Sequence, residues 1–182
     1  MSSNEKTDEE LVREFQRGNI DAFDTMVRRH QDRICRIAAV WLHDQQHSAD
    51  VAQEVFLRSF KGLGSFRFGS APFTWLYRTT KNVCHEHNRR RKTEPLDFEP
   101  IDDFASPESE VSQQHAAREV RQLVAELPDR QKEVVLLRVF EDLSVRDTAK
   151  AMRCREGTVK ALLHKAMQRL KSNIDANEQA HE

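Results

Sequence analysis

Glycine and proline are scarce, with 5 of each in 182 residues. An all-β sandwich needs turn residues in number, so this shortage, beside 38% hydrophobic and 32% charged residues, predicts helices. Cysteine is also sparse: Cys35, Cys84 and Cys154 are widely spaced, odd in number and never CxxC. With no signal peptide evident, that usage excludes a disulfide framework and indicates a reducing, cytoplasmic setting. No apolar run approaches the ~20 residues needed to cross a bilayer, so no direct membrane insertion is expected. P-loop, GxSxG, HExxH and dinucleotide fingerprints are all missing, which leaves no catalytic residue and no cofactor to nominate. Cys84-His85-Glu86-His87 invites a metal reading, with Cys35 or His30 as distant ligands. Adjacent helical residues point about 100° apart, so this run does not converge on one ion, and no metal site is assigned.

Net charge is low as well, at −1, but its distribution is uneven. Residues 61–92 hold 8 Lys/Arg against 1 acid, residues 93–115 hold none against 7, and residues 116–171 hold 13 against 8. Two basic blocks around an acidic spacer is the pattern to explain. The expected organisation is an N-terminal helical domain at 1–92, an acidic linker at 93–115, a C-terminal helical domain at 116–171 and a polar tail at 172–182.

Within the first domain, residues 1–7 read as a frayed start. A short helix follows over 8–17, with Leu11, Val12 and Phe15 inward and Gly18 as its stop. A longer helix runs from an Asp21 cap to about His43, burying Phe23, Met26, Val27, Ile34, Ile37, Ala38 and Trp41. Ser48 caps a third helix, whose inward side is Ala52, Val55, Phe56, Ser59 and Phe60. Its outward side is Asp50, Gln53, Glu54, Leu57 and Arg58. That is either a protein-docking face or a solvated face with one stray leucine. GLGSFRFGSAPF is a loop that keeps Phe66, Phe68 and Phe73 near Arg67. Aromatics on a basic loop stack on unpaired bases or fold back into the core, and Phe73 is the one expected to fold back.

The helix over 73–91 turns Phe73, Leu76, Thr80, Val83, Cys84 and His87 inward. Arg78, Lys81, Asn82, His85 and Arg89 form a row on the other side, extended by Arg90, Arg91 and Lys92. Such a row follows a phosphate backbone, and beside Trp75 and the aromatic loop it points to single-stranded or melting DNA. The linker is expected to be extended, serving as a spacer or as a mimic of nucleic acid.

In the second domain, Val120, Leu123, Val124 and Leu127 form a stripe stopped by Pro128. Val134 to Phe140 makes a strongly apolar helix, and Ser144 caps a shorter one. A longer helix then presents Val159, Leu162, Leu163, Ala166 and Leu170 on one side. Its other side carries Lys160, Ala161, His164, Lys165 and Gln168. This is a helix-turn-helix pattern able to enter a DNA major groove, although a plain helical hairpin with a solvated basic face has the same spacing.

Four stretches carry a family resemblance: DVAQEVFLRSF at 50–60, FTWLYRTTKNVCHEHNRRRK at 73–92, LPDRQKEVVLLRVFEDLSVRDTAKAM at 127–152 and REGTVKALLHKAMQRLK at 155–171. In this order, around an acidic linker, the chain resembles an extracytoplasmic-function (ECF) sigma factor of bacterial RNA polymerase. The resemblance implies an all-α protein of two small helical domains that directs promoter-specific initiation without catalysis of its own. It implies that Asp50, Gln53, Glu54, Leu57 and Arg58 dock on the clamp helices of the largest subunit of core RNA polymerase. It implies that Phe66, Arg67, Phe68, Trp75, Arg78, Lys81, Asn82, His85, Arg89 and Arg90 recognise and help melt the −10 element of promoter DNA. Arg155, Glu156, Thr158, Lys160, Ala161, His164 and Lys165 would face the −35 element, with Arg169 on a phosphate. The linker would thread the polymerase channels, and an anti-sigma factor would cover the polymerase-binding faces. Two departures stand out: Arg153-Cys154 replaces the glycine common in such turns, and the recognition helix offers Ala161 and His164. The rivals are a LuxR-type regulator using the helix-turn-helix without polymerase, and a metal- or thiol-dependent protein built on Cys35 and Cys84.

Overall fold

The computed structural model describes residues 5–93 and 120–180, and side chains at 92, 93 and 176–180 are outside that description. The protein is all-α, with no strand among the described residues. These residues fall in two separate compact units, 5–93 and 120–180. The expected linker, from residue 94 on, lies outside the described residues.

The first unit holds four α-helices: α1 (Asp8–Gln16), α2 (Ile20–Trp41), α3 (Ser48–Leu63) and α4 (Pro72–Thr93). Of the start expected to be frayed, residues 1–4 lie outside the described residues, while Thr7 is fixed at the head of α1. Thr7 Oγ1 accepts from Glu10 N (3.3 Å) while Glu10 Oε2 accepts from Thr7 N (2.7 Å), a reciprocal capping box. Gly18, at φ +96, takes the left-handed position just past the C-cap, as expected. α2 starts one residue before Asp21, at Ile20, and ends at Trp41 rather than His43. Its C-terminus is closed by Asn88, whose Oδ1 accepts from His43 N (3.2 Å) and whose Nδ2 donates to Trp41 O (2.9 Å). Ser48 is not a side-chain cap; a 3₁₀ turn (Gln45–His47) precedes α3, and Asp44 caps that turn by accepting from Gln46 N. Pro72 opens α4, where the missing N–H costs nothing.

The core is Leu11, Val12, Met26, Ile34, Ile37, Val55, Leu63, Leu76 and Tyr77. Tyr77 and Thr74 belong to the inward side of α4, while His87 is only half-buried. Phe60, expected inside, is 45% exposed, yet its ring meets Phe15 (5.3 Å) and Phe23 (5.2 Å) at the core margin.

In the second unit, a helical segment at residues 120–125 (α5) precedes α6 (Asp129–Val135), α7 (Val145–Met152) and α8 (Glu156–Ala180). The apolar run after α6 does not continue as one regular helix. Leu136–Phe140 is a π turn in which Glu141 N donates to Leu136 O at 3.0 Å. Leu136 and Leu137 are buried, while Val139 and Phe140 stand 54% and 46% exposed. Six apolar residues in seven positions exceed what one helix face can bury, so two are turned out. Ser144 caps α7 as expected, accepting from Asp147 N at 3.0 Å. α8 does not stop near Lys171: no Gly or Pro interrupts 172–180, and the helix runs through to Ala180.

Candidate nucleic-acid interface

In the second unit, the helix-turn-helix is built by Ala149, Val159 and Ala166. All three are buried, and their small side chains suit close packing of α7 on α8. Arg153, the residue standing where glycine is common, adopts the left-handed conformation (φ 50, ψ 51). Cys154 N then donates to Ala149 O at 2.9 Å, a Schellman-like closure that the arginine achieves despite its Cβ. Arg155, Glu156, Thr158, Lys160, Ala161, His164, Lys165 and Arg169 are all exposed. Arg155 immediately precedes α8; on the helix Lys160, Ala161, His164 and Lys165 occupy the side opposite Val159 and Ala166, with Glu156, Thr158 and Arg169 flanking it. A concavity of about 680 Å³ beside them is flanked by Arg146, Lys150 and Arg153, cations that the sequence reading did not nominate.

In the first unit, α4 presents Asn82, His85, Arg89 and Arg90 exposed, with Arg78 and Lys81 half-buried. Trp41, at the end of α2, lies beneath this row. Lys81 Nζ lies 4.9 Å from its ring centroid and the His85 ring meets it edge-on at 5.3 Å. Arg91 is drawn off the row by Asp44 at 2.7 Å. Glu86 faces α3 instead, where its carboxylate accepts from Arg58 Nη2 at 2.8 Å. That hydrogen bond holds the Glu86 carboxyl below its usual range.

The loop 64–71 is not an open aromatic finger. Phe66 and Phe68 are half-buried and meet each other edge-on at 5.0 Å, and Phe66 reaches Trp75 at 6.3 Å. Arg67 is exposed, and Phe73 folds into the core with the Arg33 guanidinium 3.4 Å above its ring. Phe68 carries a positive φ of 55, costly for an aromatic residue by on the order of 1–3 kcal/mol. Trp75 is fixed against α3 at Gly62, so it forms a wall rather than a free stacking ring.

On α3, Asp50, Gln53 and Leu57 are exposed, Leu57 by 57%. It is not a stray leucine, because it lines an apolar groove of about 380 Å³ with Phe23, Val27, Phe56 and Phe60. Arg58 is tied to Glu54 (2.7 Å) as well as to Glu86.

Cys84, His85, Glu86 and His87 diverge. Cys84 is buried and its thiol is pushed up to about 12 by burial. His85 meets Trp41 edge-on, Glu86 pairs with Arg58, and the His87 ring lies tilted against His47 with centroids 5.1 Å apart. Burial, then the neighbouring His47, holds His87 below the ordinary histidine value.

Residues 26–94 match the family Sigma-70 region 2, and residues 117–170 match Sigma-70, region 4. The RNA polymerase sigma-H factor of Pseudomonas aeruginosa is 35% identical over 175 residues, covering 89% of this chain and 91% of its own. The ECF RNA polymerase sigma-E factor of Haemophilus influenzae is 32% identical, covering 92% and 95%.

The chain belongs to the ECF family of RNA polymerase sigma factors.

Solved structures of the same fold include CnrH in complex with the cytosolic domain of CnrY (TM-score 0.71, 21% identity, covering 91% of this chain and 96% of that one). RpoE of Bartonella quintana, solved with the anti-sigma factor NepR, superposes with a TM-score of 0.64 at 18% identity, covering 84% and 96%. As a sigma factor this chain is a transcription initiation factor, and the stand-alone regulator reading is not favoured. No described helix is long and apolar enough to cross a membrane. Gln16, whose Nε2 donates to Leu63 O (2.9 Å) and Phe66 O (2.8 Å), Arg13, 4.9 Å from the Phe68 ring centroid, and Asn88 support these faces from partners far away in sequence, which no local spacing announces.

Proposed function

We propose that this sigma factor binds core RNA polymerase through α3 and reads its promoter at two sites, one with each unit. In this reading residues 1–92 serve clamp binding and −10 melting, 93–115 form the connecting linker, and 116–171 recognise the −35 element. The observation that supports it best is α8: seven of the eight nominated side chains are exposed on this helix, and the eighth, Arg155, is exposed immediately before it. α8 lies in the major groove, with His164 and Lys165 at base edges and Arg169 on a phosphate. Asn82, His85 and Arg89 follow the melting strand, while the loop captures unpaired bases and offsets an unstacking cost of a few kcal/mol per step.

Each unit alone makes a small interface, so free protein binds promoter DNA weakly. Core polymerase fixes both units at one spacing and supplies the missing affinity through multivalency. The apolar groove beside Leu57 also supports docking of an anti-sigma factor there, in competition with polymerase. Action with polymerase places the protein in the cytoplasm.

The test is transcription in vitro with core polymerase on a genomic fragment library, reading start sites. His164→Ala and Lys165→Ala weaken −35 selection. Asn82→Ala leaves the closed complex largely intact and lowers permanganate reactivity of promoter thymines. Failure of the pure chain to associate with core enzyme overturns the proposal.

A further inference from the structure

The aromatic loop between α3 and α4 is held by a helix that lies outside the region 2 match, which starts at residue 26. Gln16, the last residue of α1, donates through Nε2 to the carbonyl oxygens of Leu63 (2.9 Å) and Phe66 (2.8 Å). One amide therefore grips both ends of the loop's first turn, which is closed internally by Phe66 N donating to Leu63 O at 3.1 Å. Arg13 lies three residues earlier on α1. Its guanidinium sits 4.9 Å from the Phe68 ring centroid, at the residue whose φ is 55. A left-handed phenylalanine persists only where its surroundings over-determine it. Arg13 above the ring and Gln16 on the preceding turn are such surroundings.

We propose that Gln16 and Arg13 are positioning residues for −10 recognition, holding loop 64–71 in one conformation and thereby setting which base it accepts. This rests on the reading of the loop as a −10 contact. The logic is preorganisation: a loop that is already ordered pays less to bind a base, and one shape discriminates where an ensemble does not. α1 thus contributes to specificity without touching DNA.

The experiment uses the full chain with core polymerase, on a promoter recovered from the fragment library and then randomised through its −10 element. Gln16→Glu keeps the size of the side chain and removes both donors. Its preference between the best and second-best −10 bases falls on the order of tenfold, as two hydrogen bonds to the loop are lost. Core binding and −35 preference stay unchanged. Arg13→Ala shifts the preference in the same direction. Phe66→Ala and Phe68→Ala are run in parallel. If these two lose the preference while Gln16→Glu and Arg13→Ala keep it, the positioning role falls and the −10 reading survives. A Gln16→Glu variant that lowers transcription from every −10 sequence by one common factor also overturns the inference, because Gln16 is then only a structural staple. If the phenylalanine variants keep the preference too, the loop does not read the −10 element and both readings fall.

Discussion

Asp8 and His30 join α1 to α2: Asp8 Oδ2 lies 2.8 Å from His30 Nε2, and His30 is only 3% exposed. The other carboxylate oxygen accepts from Arg29 Nη1 at 2.7 Å. Through this contact the helix that grips loop 64–71 is itself fastened to the core.

The Asp8 carboxyl feels two opposed influences. Burial works to raise its pKa, but the hydrogen bonds and charges of His30 and Arg29 prevail and leave it below the ordinary 3.8. A carboxylate with a depressed folded value contributes stability above its unfolded pKa and loses it as pH falls through the folded one. The contribution is therefore complete at neutral pH and disappears in acid below about pH 3.8. Asp8→Asn is expected to destabilise the first unit by about 1–3 kcal/mol at neutral pH, the worth of hydrogen bonds to a charged group. Both tryptophans, Trp41 and Trp75, lie in this unit, so fluorescence-monitored urea unfolding reports it alone. Equal midpoints for the variant and its parent at neutral pH would show that the pair does not hold α1 in place.

Gly62 and Trp75 give a second expectation. Glycine inside a helix normally costs about 1 kcal/mol against alanine, so Gly62→Ala should stabilise α3 on propensity alone. Here an added Cβ would lie 2.8 Å from Trp75 Cη2 and Cζ2, closer than carbon atoms approach. The indole must move, at a cost of about 1–3 kcal/mol for overpacking. The net result is a loss of about 1 kcal/mol and a displaced Trp75. With 5-fluorotryptophan incorporated, one of the two fluorine resonances shifts and the Trp41 resonance holds. A stabilised variant with both resonances unmoved would refute the contact.

Local chemistry was legible in the sequence, and long-range polar chemistry was not. Ser144 announces a helix start because its partner, Asp147, is three residues away. The stripe of α8 is visible because burial repeats with the helical period. Gln16 bonds carbonyls 47 and 50 residues distant, and Asn88 closes a helix 47 residues away. Nothing in the spacing of a glutamine or an asparagine encodes such a partner. The π turn at Leu136–Phe140 was hidden for another reason: an apolar run states that burial is wanted, not which two members it will leave outside. Of the site, the exposed set on α8 and the row on α4 follow from periodicity. The folded state of the aromatic loop depends on α1 and was out of reach.

Arg153 gives the last expectation, and it separates shape from charge in the helix-turn-helix. Its left-handed backbone (φ 50, ψ 51) costs an L-residue about 1–2 kcal/mol, which glycine avoids. Glycine gives part of that back through the greater freedom of its unfolded chain, so Arg153→Gly should stabilise the second unit by about 1 kcal/mol. Arg153→Ala keeps the strain and should leave stability nearly unchanged. Both variants delete a cation beside α8. If Arg153 contacts a phosphate, both lower the salt dependence of promoter binding by about one counterion, equally at all −35 sequences. Hydrogen exchange within α7 and α8 reads the stability, and binding of the polymerase complex across a salt series reads the charge. Equal stability of the glycine and alanine variants would mean that the turn carries no strain. A change in −35 preference in either variant would move Arg153 from the backbone to the base edges.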